Sequence, residues 1–215
     1  MATAYPSTIA APVVHEIEIK RSRFIARLEP VASVDVADAV IARTRRTHWD
    51  ARHNCVAMVT GVLGDQARSS DDGEPSGTAG VPMLEVLRRR GMTDVVAVVT
   101  RYFGGVKLGA GGLVRAYGGV VAEALDSAEI LDRLALTRAT IEVPHADAGR
   151  LNNLLRDWVA GHGATLGETA YGAAATLEAW VPEHELPALA DDVAAWSAGS
   201  LAPVAGEIRV VDVPR

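Results

Sequence analysis

Between Ser70 and Tyr117 the chain sets acidic and basic side chains among a dense run of glycines, in SDDGEPSGTAGVP and then RYFGGVKLGAGGLVRAY. The basic residues of the second segment are Arg101, Lys107 and Arg115. Cations beside glycines that open a helix are a phosphate-binding combination: free backbone N–H groups donate, the helix dipole attracts, and the side chains neutralise. The spacing matches neither common phosphate loop. No glycine is followed by Lys and then Ser or Thr, and Val114 stands where Gly109-Ala110-Gly111 would need its third glycine. What remains is a candidate anion- or nucleic-acid-binding group of Arg101, Lys107 and Arg115 with the backbone of Gly111 and Gly112. The alternative is that these glycines only let a helix pack closely on a sheet, and both readings stay open.

Asp71, Asp72 and Glu74 form the acidic partner of that group. They can orient Arg101 or Arg115 by charge-assisted hydrogen bonds, or accept backbone N–H groups in their own turn. The spacing is not that of a calcium loop, so no metal is assigned. His53, Asn54, Ser76, Thr78 and Tyr102 are candidates to line the same site. The single cysteine, Cys55, heads an apolar run. With no second cysteine it can form neither an internal disulfide nor a paired-cysteine zinc site, and it reads as a packing residue. No nucleophile elbow is present, no catalytic residue is assigned, and no cofactor is called for.

These residues must be held by elements. Val95–Thr100, VVAVVT, is an unbroken β-branched run of the kind buried on both faces of a sheet, and it delivers Arg101 at its end. A helix is expected from Gly112 to Asp126, and a shorter one carries Leu84, Val86 and Leu87 up to Gly91. Upstream, alternation predicts strands over Val14–Lys20 and Phe24–Leu28, a helix capped by Ser33 with Val36, Ala37, Val40, Ile41 and Thr44 inward, and a strand over Cys55–Val62. Met1–Pro12 reads as a loose arm. After Leu134–Thr137 a second pattern begins: a strand at Thr140–Val143, a helix with Leu151, Leu155 and Trp158, strands at Ala164–Thr169 and Ala174–Val181, a helix after Pro182, and a strand at Glu207–Val213. That βαββαβ order predicts a ferredoxin-like unit, and the class is α+β with domains 1–135 and 136–215.

The chain has 215 residues, 49% of them hydrophobic, enough for two modest cores. Acidic and basic residues balance over 1–135, so the whole net charge of −6 falls on 136–215. Any polyanion-binding surface therefore belongs to the first part. Arg43, Arg45, Arg46, His48 and Arg52 make its densest basic group, which also suits a helix C-terminus. No basic segment followed by an apolar core opens the sequence, and no charge-free run spans a bilayer, so a cytoplasmic protein without a membrane contact is expected.

HNCVA at His53–Ala57, SDDGEPSGTAGVP at Ser70–Pro82, VTRYFGGVKLGAGGLVRAY at Val99–Tyr117 and SRFIA at Ser22–Ala26 resemble the signature blocks of the IMPACT/YigZ family. With the second half included, the resemblance runs from about Val13 to Val213. It implies a first domain folded like the second domain of small-subunit ribosomal protein five. The second domain would be similar to the last domain of the translocase elongation factor, in agreement with the βαββαβ reading. Both domain types recur in proteins that touch ribosomes or RNA. The eukaryotic branch of the family regulates translation by competing for a ribosome-associated activator of an initiation-factor kinase.

Three functions follow as expectations. The first is a non-enzymatic module that binds RNA or the ribosome through the first domain. The second is an enzyme acting on a phosphorylated substrate across Ser70–Arg115. The third is a regulator whose partner is a translation-related protein. The first is preferred, and the small positive charge argues against tight binding of long duplexes.

Overall fold

In the computed structural model, which describes residues 5–215, the apolar run at Val95 becomes the middle strand of a five-stranded antiparallel sheet. The structure divides into two units, one of residues 5–133 with 212–215 and one of Leu134–Val211. In chain order the first unit holds β1 (Thr8–Ile9), β2 (Val13–Ile19), β3 (Ser22–Pro30), α1 (Val34–Thr47), β4 (His53–Thr60), β5 (Gln66–Ser70), α2 (Gly80–Arg89), β6 (Val95–Tyr102) and α3 (Ala110–Asp126). The sheet order is β2-β3-β6-β4-β5. Alternate residues of β6 enter two cores. Val95, Ala97 and Val99 pack with α2 and α3, whereas Val96 and Val98 pack with Ala37, Val40 and Ile41 of α1. Helices on both faces explain why this strand is apolar without alternation.

The helices start and stop where local chemistry directs. Ser33 accepts from the Val36 N–H and caps α1. Its Asp35 and its last-turn Arg45 and Arg46 match the helix dipole. On the other face α3 lays Leu113, Ala116, Tyr117, Val120, Val121 and Ala124 into the larger core. There Tyr117 meets Phe24 edge to face, with ring centroids 5.2 Å apart.

Two expectations are corrected here. The start of the chain is not a loose arm from Ser7 onward (residues 1–4 of that call lie outside the described residues). Ser7 N–H donates to Gly91 O, Thr93 N–H donates to Ser7 O, and Ile9 is 1% exposed. Gln66–Ser70 had no strand assigned, yet it pairs along β4 from Gln66↔Thr60 to Ser70↔Val56. It is an edge strand, and its exposed polar residues carry no alternation to read.

A long strand, β7 (Ile130–Val143), begins in the first unit, where Thr8 and Ile9 pair with Leu131 and Ile130, and continues into the second. The division therefore falls inside a strand, and Asp212–Arg215 groups with the first unit rather than with 136–211. The second unit continues with α4 (His145–Gly161), β8 (Thr165–Leu166), β9 (Ala170–Tyr171), β10 (Ala175–Pro182), a 3₁₀ turn at Glu183–Glu185, α5 (Leu186–Trp196) and β11 (Val204–Pro214). β11 pairs β7, β7 pairs β10 and β10 pairs β8. In βαββαβ order that is four-one-three-two, the ferredoxin-like arrangement. Ala139, Ile141, Val143, Leu177 and Val181 face Leu151, Leu155, Trp158, Leu189 and Val193 of the two helices. The fold is α+β. β8 is shorter than the strand expected at Ala164–Thr169, although Gly167 N–H still donates to Glu178 O at 2.8 Å.

Candidate anion-binding site

The end of β6, the loop after it and the first turn of α3 enclose a cavity of about 400 Å³. Arg52, His53, Arg101, Phe103, Lys107 and the Gly109–Ala110 backbone stand in its wall, and Glu74, Leu108 and Leu113 complete much of the remainder. Two glycines shape it. A Cβ on Gly104 would sit 2.0 Å from the Arg21 carbonyl carbon, so only glycine lets the loop rest on the β2–β3 turn. That contact is fastened by Gly104 N–H donating to Ser22 Oγ at 3.1 Å. Gly109 takes φ +72° at the entry to α3, and no side chain caps the helix. Its carbonyl accepts from Gly112 and Leu113. Among the described residues nothing accepts from the Ala110 and Gly111 N–H groups, which leaves the positive end of a 17-residue helix unfilled at the cavity.

Arg101 is 6% exposed and is bound on several sides. Its Nη1 donates to Glu74 Oε1 at 2.7 Å, and its guanidinium carbon lies 5.4 Å from the Phe24 ring centre and 5.5 Å from that of Phe103. Glu74 Oε1 also accepts from the Tyr117 hydroxyl at 2.8 Å. The fork is not used up: Nη2 reaches Ser22 Oγ only at 3.5 Å, and Nε finds no partner. A buried guanidinium N–H without an acceptor is costly, and here it belongs to a residue of the cavity wall.

The three acids, expected to act as one cluster, do three different things. Glu74 neutralises Arg101. Asp72 takes Arg45 at 2.9 Å and the Asn54 N–H at 2.7 Å, turning away from Arg101 and Arg115. Asp71 accepts from the N–H groups of Gly77, Ala79 and Gly80 at 2.8–2.9 Å, closing its own loop and the start of α2. Burial alone would push its carboxyl up, but the three N–H donors outweigh that and hold it below the ordinary aspartate value. Among the described residues no group of three or more His, Cys, Asp or Glu is arranged to hold a metal ion.

The other expected residues also separate. Lys107 and His53 stand on the cavity wall, whereas at the helix start the wall holds Gly109 and Ala110 and not the expected Gly111 and Gly112. His53 Nδ1 donates to Asp72 O at 2.9 Å, which fixes the tautomer because a carbonyl only accepts. Arg115 is exposed one turn into α3 and lines a different groove, with Arg89, Val114 and Gly118. Asn54 is buried and accepts from Thr100 Oγ1 at 2.7 Å. Thr78 bonds Pro75 O, Ser76 is exposed outside the wall, and the Tyr102 hydroxyl donates to Asp50 and accepts from His48. Arg101 was expected to present its charge openly to a phosphate; instead it is a buried, largely neutralised ion pair with donors to spare. Cys55 is buried, donates to Asp71 O at 3.0 Å, and burial pushes its thiol up to about 12. Phe103 and the cavity role of Arg52 were missed, since neither an aromatic after a strand nor one arginine in a basic run signals a wall.

The matches to known proteins follow the same division of the chain. Residues 20–125 match the Impact N-terminal domain, and residues 141–200 match a domain of unknown function, DUF1949. The chain is 43% identical over 177 residues to the IMPACT family member YvyE of Bacillus subtilis (strain 168), covering 82% of this chain and 80% of that one. It is 46% identical over 148 residues to the IMPACT family member YigZ of Escherichia coli (strain K12), covering 68% and 72%. A crystal structure described only as that of a hypothetical protein matches with a TM-score of 0.60 at 38% identity, over 95% of this chain and 98% of that one. The glycine-rich loops, the buried Arg101 and the strand that carries it all lie within the matched Impact N-terminal region, and on these grounds the chain belongs to the IMPACT family.

Proposed function

We propose that this protein is a non-enzymatic, cytoplasmic RNA-binding module that associates with the translation machinery by seating a backbone phosphate at the start of α3. The single observation that carries the reading is Arg101, a buried guanidinium on the cavity wall with an N–H that has no acceptor. An oxygen anion entering there meets two unspent helix N–H groups and Lys107. It also enters the field of the Arg101 guanidinium in the wall, whose one carboxylate partner is Glu74. Among the described residues Lys107 and Arg52 make no ion pair, so each keeps its charge for a ligand. The mainly apolar remainder of the wall lowers the local dielectric and strengthens each such contact.

The test is co-sedimentation of the whole chain with ribosomal fractions at low ionic strength, comparing wild type with Lys107→Ala. The lysine is exposed, so its removal leaves the fold intact. The reading expects wild type in the ribosomal or RNA-bearing fractions, release by added salt or by ribonuclease, and clear weakening in Lys107→Ala. Equal sedimentation of both proteins, insensitive to salt, would overturn it.

A further inference from the structure

We infer that the RNA this cavity takes is single-stranded, with unpaired bases stacking on two exposed aromatic side chains, Phe103 in its wall and Trp49 in the turn that leads to Arg52. The inference rests on the phosphate reading above and adds the ligand's form. Phe103 stands in the cavity wall with 52% of its surface exposed, directly after a strand that is buried up to Arg101. Trp49 is 82% exposed, in the turn between α1 and β4. A lone exposed apolar residue needs no explanation. Trp49 differs in being held out by a braced turn, with Arg46 and Arg52 three positions to either side.

The brace is specific. Ala51 N–H donates to His48 O, and the residues on either side of Trp49 are both tied to Tyr102. His48 Nδ1 reaches the Tyr102 hydroxyl at 3.1 Å, and that hydroxyl donates to Asp50 at 2.9 Å. Tyr102 is the last residue of β6, between Arg101 and Phe103, so the Trp49 turn is moored to the strand that ends in the cavity. Three residues after Trp49 comes Arg52, in the cavity wall, and three peptide units limit the separation of their Cα atoms to roughly 11 Å. That is a span of one or two nucleotides.

The charges around this path favour a polyanion. Arg46, Arg52 and Lys107 are exposed, and among the described residues none of them pairs with a carboxylate. The nearby acids are already engaged: Asp50 by Tyr102, Asp72 by Arg45 and Glu74 by Arg101. Cations with stacking platforms that present no donor or acceptor code are the arrangement that takes unpaired bases without strong sequence preference. A paired duplex offers no base face to Trp49 or Phe103. A phosphate held deep in the cavity further requires a strand free to bend.

The experiment uses the full chain and three fluorescein-labelled probes: a single-stranded ribo-oligonucleotide of mixed sequence, the same strand annealed to its complement, and the single-stranded deoxy version. Anisotropy gives the affinities, and the part of the tryptophan emission change that disappears in Trp49→Ala, one of four tryptophans, reports stacking. The expected result is single strand bound at least tenfold tighter than duplex, quenching of tryptophan emission on binding, and an approximately tenfold loss with Trp49→Ala that Trp49→Phe largely restores. Phe103→Leu, which keeps an apolar side chain against Arg101, should lose a similar factor. Equal affinity for duplex, or wild-type binding by both Trp49→Ala and Phe103→Leu, overturns the inference. Lys107→Ala separates the two ideas. If it weakens binding of all probes while the aromatic variants do not, the phosphate seat stands and the stacking fails; if it too binds as wild type, both fail. Dependence of a ribonuclease-resistant protein partner on Trp49, with no RNA bound, would also overturn the inference.

Discussion

Asp71 shows what one side chain contributes to this site. It touches no ligand position, yet its two oxygens gather three N–H groups that would otherwise be unsatisfied at the loop's close and the start of α2. Asp71→Ala should therefore cost about 1–3 kcal/mol, the worth of a multiply bonded cap. Because its folded carboxyl sits below the unfolded value, its contribution is fully present above about pH 4 and fades as pH falls through the lower, folded value. Chemical denaturation of wild type and Asp71→Asn should give a gap that is constant at neutral pH and shrinks in acid. A gap that widens in acid would contradict this role. Cys55 makes the opposite point about a reactive residue type. Held as a thiol in the core, it should label with a thiol reagent only after denaturation, whereas rapid labelling of the native protein would contradict its packing role. Residue identity was legible in the sequence; pairing was not. Arg45 reaches Asp72 across 27 positions, and Arg101 takes Glu74 and neither aspartate, because strand register decides which charges meet.

At the scale of elements, hydrophobic pattern was a good guide wherever one face or both faces of an element are buried. β6 and α3 lie within two residues of their expected spans, and α1 starts at its expected Ser33 cap with Ala37, Val40, Ile41 and Thr44 inward, while Val36, expected with them, is exposed. The pattern was silent where an element is held by backbone pairing alone, as with β5, and where two residues suffice, as with β1. The loop after β6 belongs to the same category. Its glycines were visible, but not that Gly104 lies on the Arg21 backbone while Gly109 turns the chain into α3. These two have different consequences. Gly104→Ala must move the β2–β3 turn away from the loop, which should lower the melting temperature by several degrees and disturb the cavity with it. Gly111→Ala, where a Cβ meets only the tip of Arg115 at 3.6 Å, should leave stability unchanged or slightly raised. Equal melting temperatures for Gly104→Ala and wild type would remove the geometric reason for that glycine.

For the whole molecule, the sequence placed both the family and the uneven charge in view. The neutral first part holds the cavity, and the acidic second part holds a ferredoxin-like sheet with both helices on one face. The division between units was less legible, because β7 carries the chain through it without a loop whose composition could announce it. Among the described residues no helix is long and apolar enough to cross a membrane. The central claim is that the first turn of α3 seats a phosphate. The most direct measurement is titration of the full, ¹⁵N-labelled chain with inorganic phosphate at low ionic strength, following backbone amide shifts. The account predicts saturable shifts at Gly109, Ala110 and Gly111 and at the Arg101 Nε–H. Lys107→Ala should weaken them, while Arg115→Ala, which alters a different groove, should leave their affinity unchanged. Amides of α3 that do not move, or saturable shifts centred on the Arg89–Arg115 groove, would contradict it.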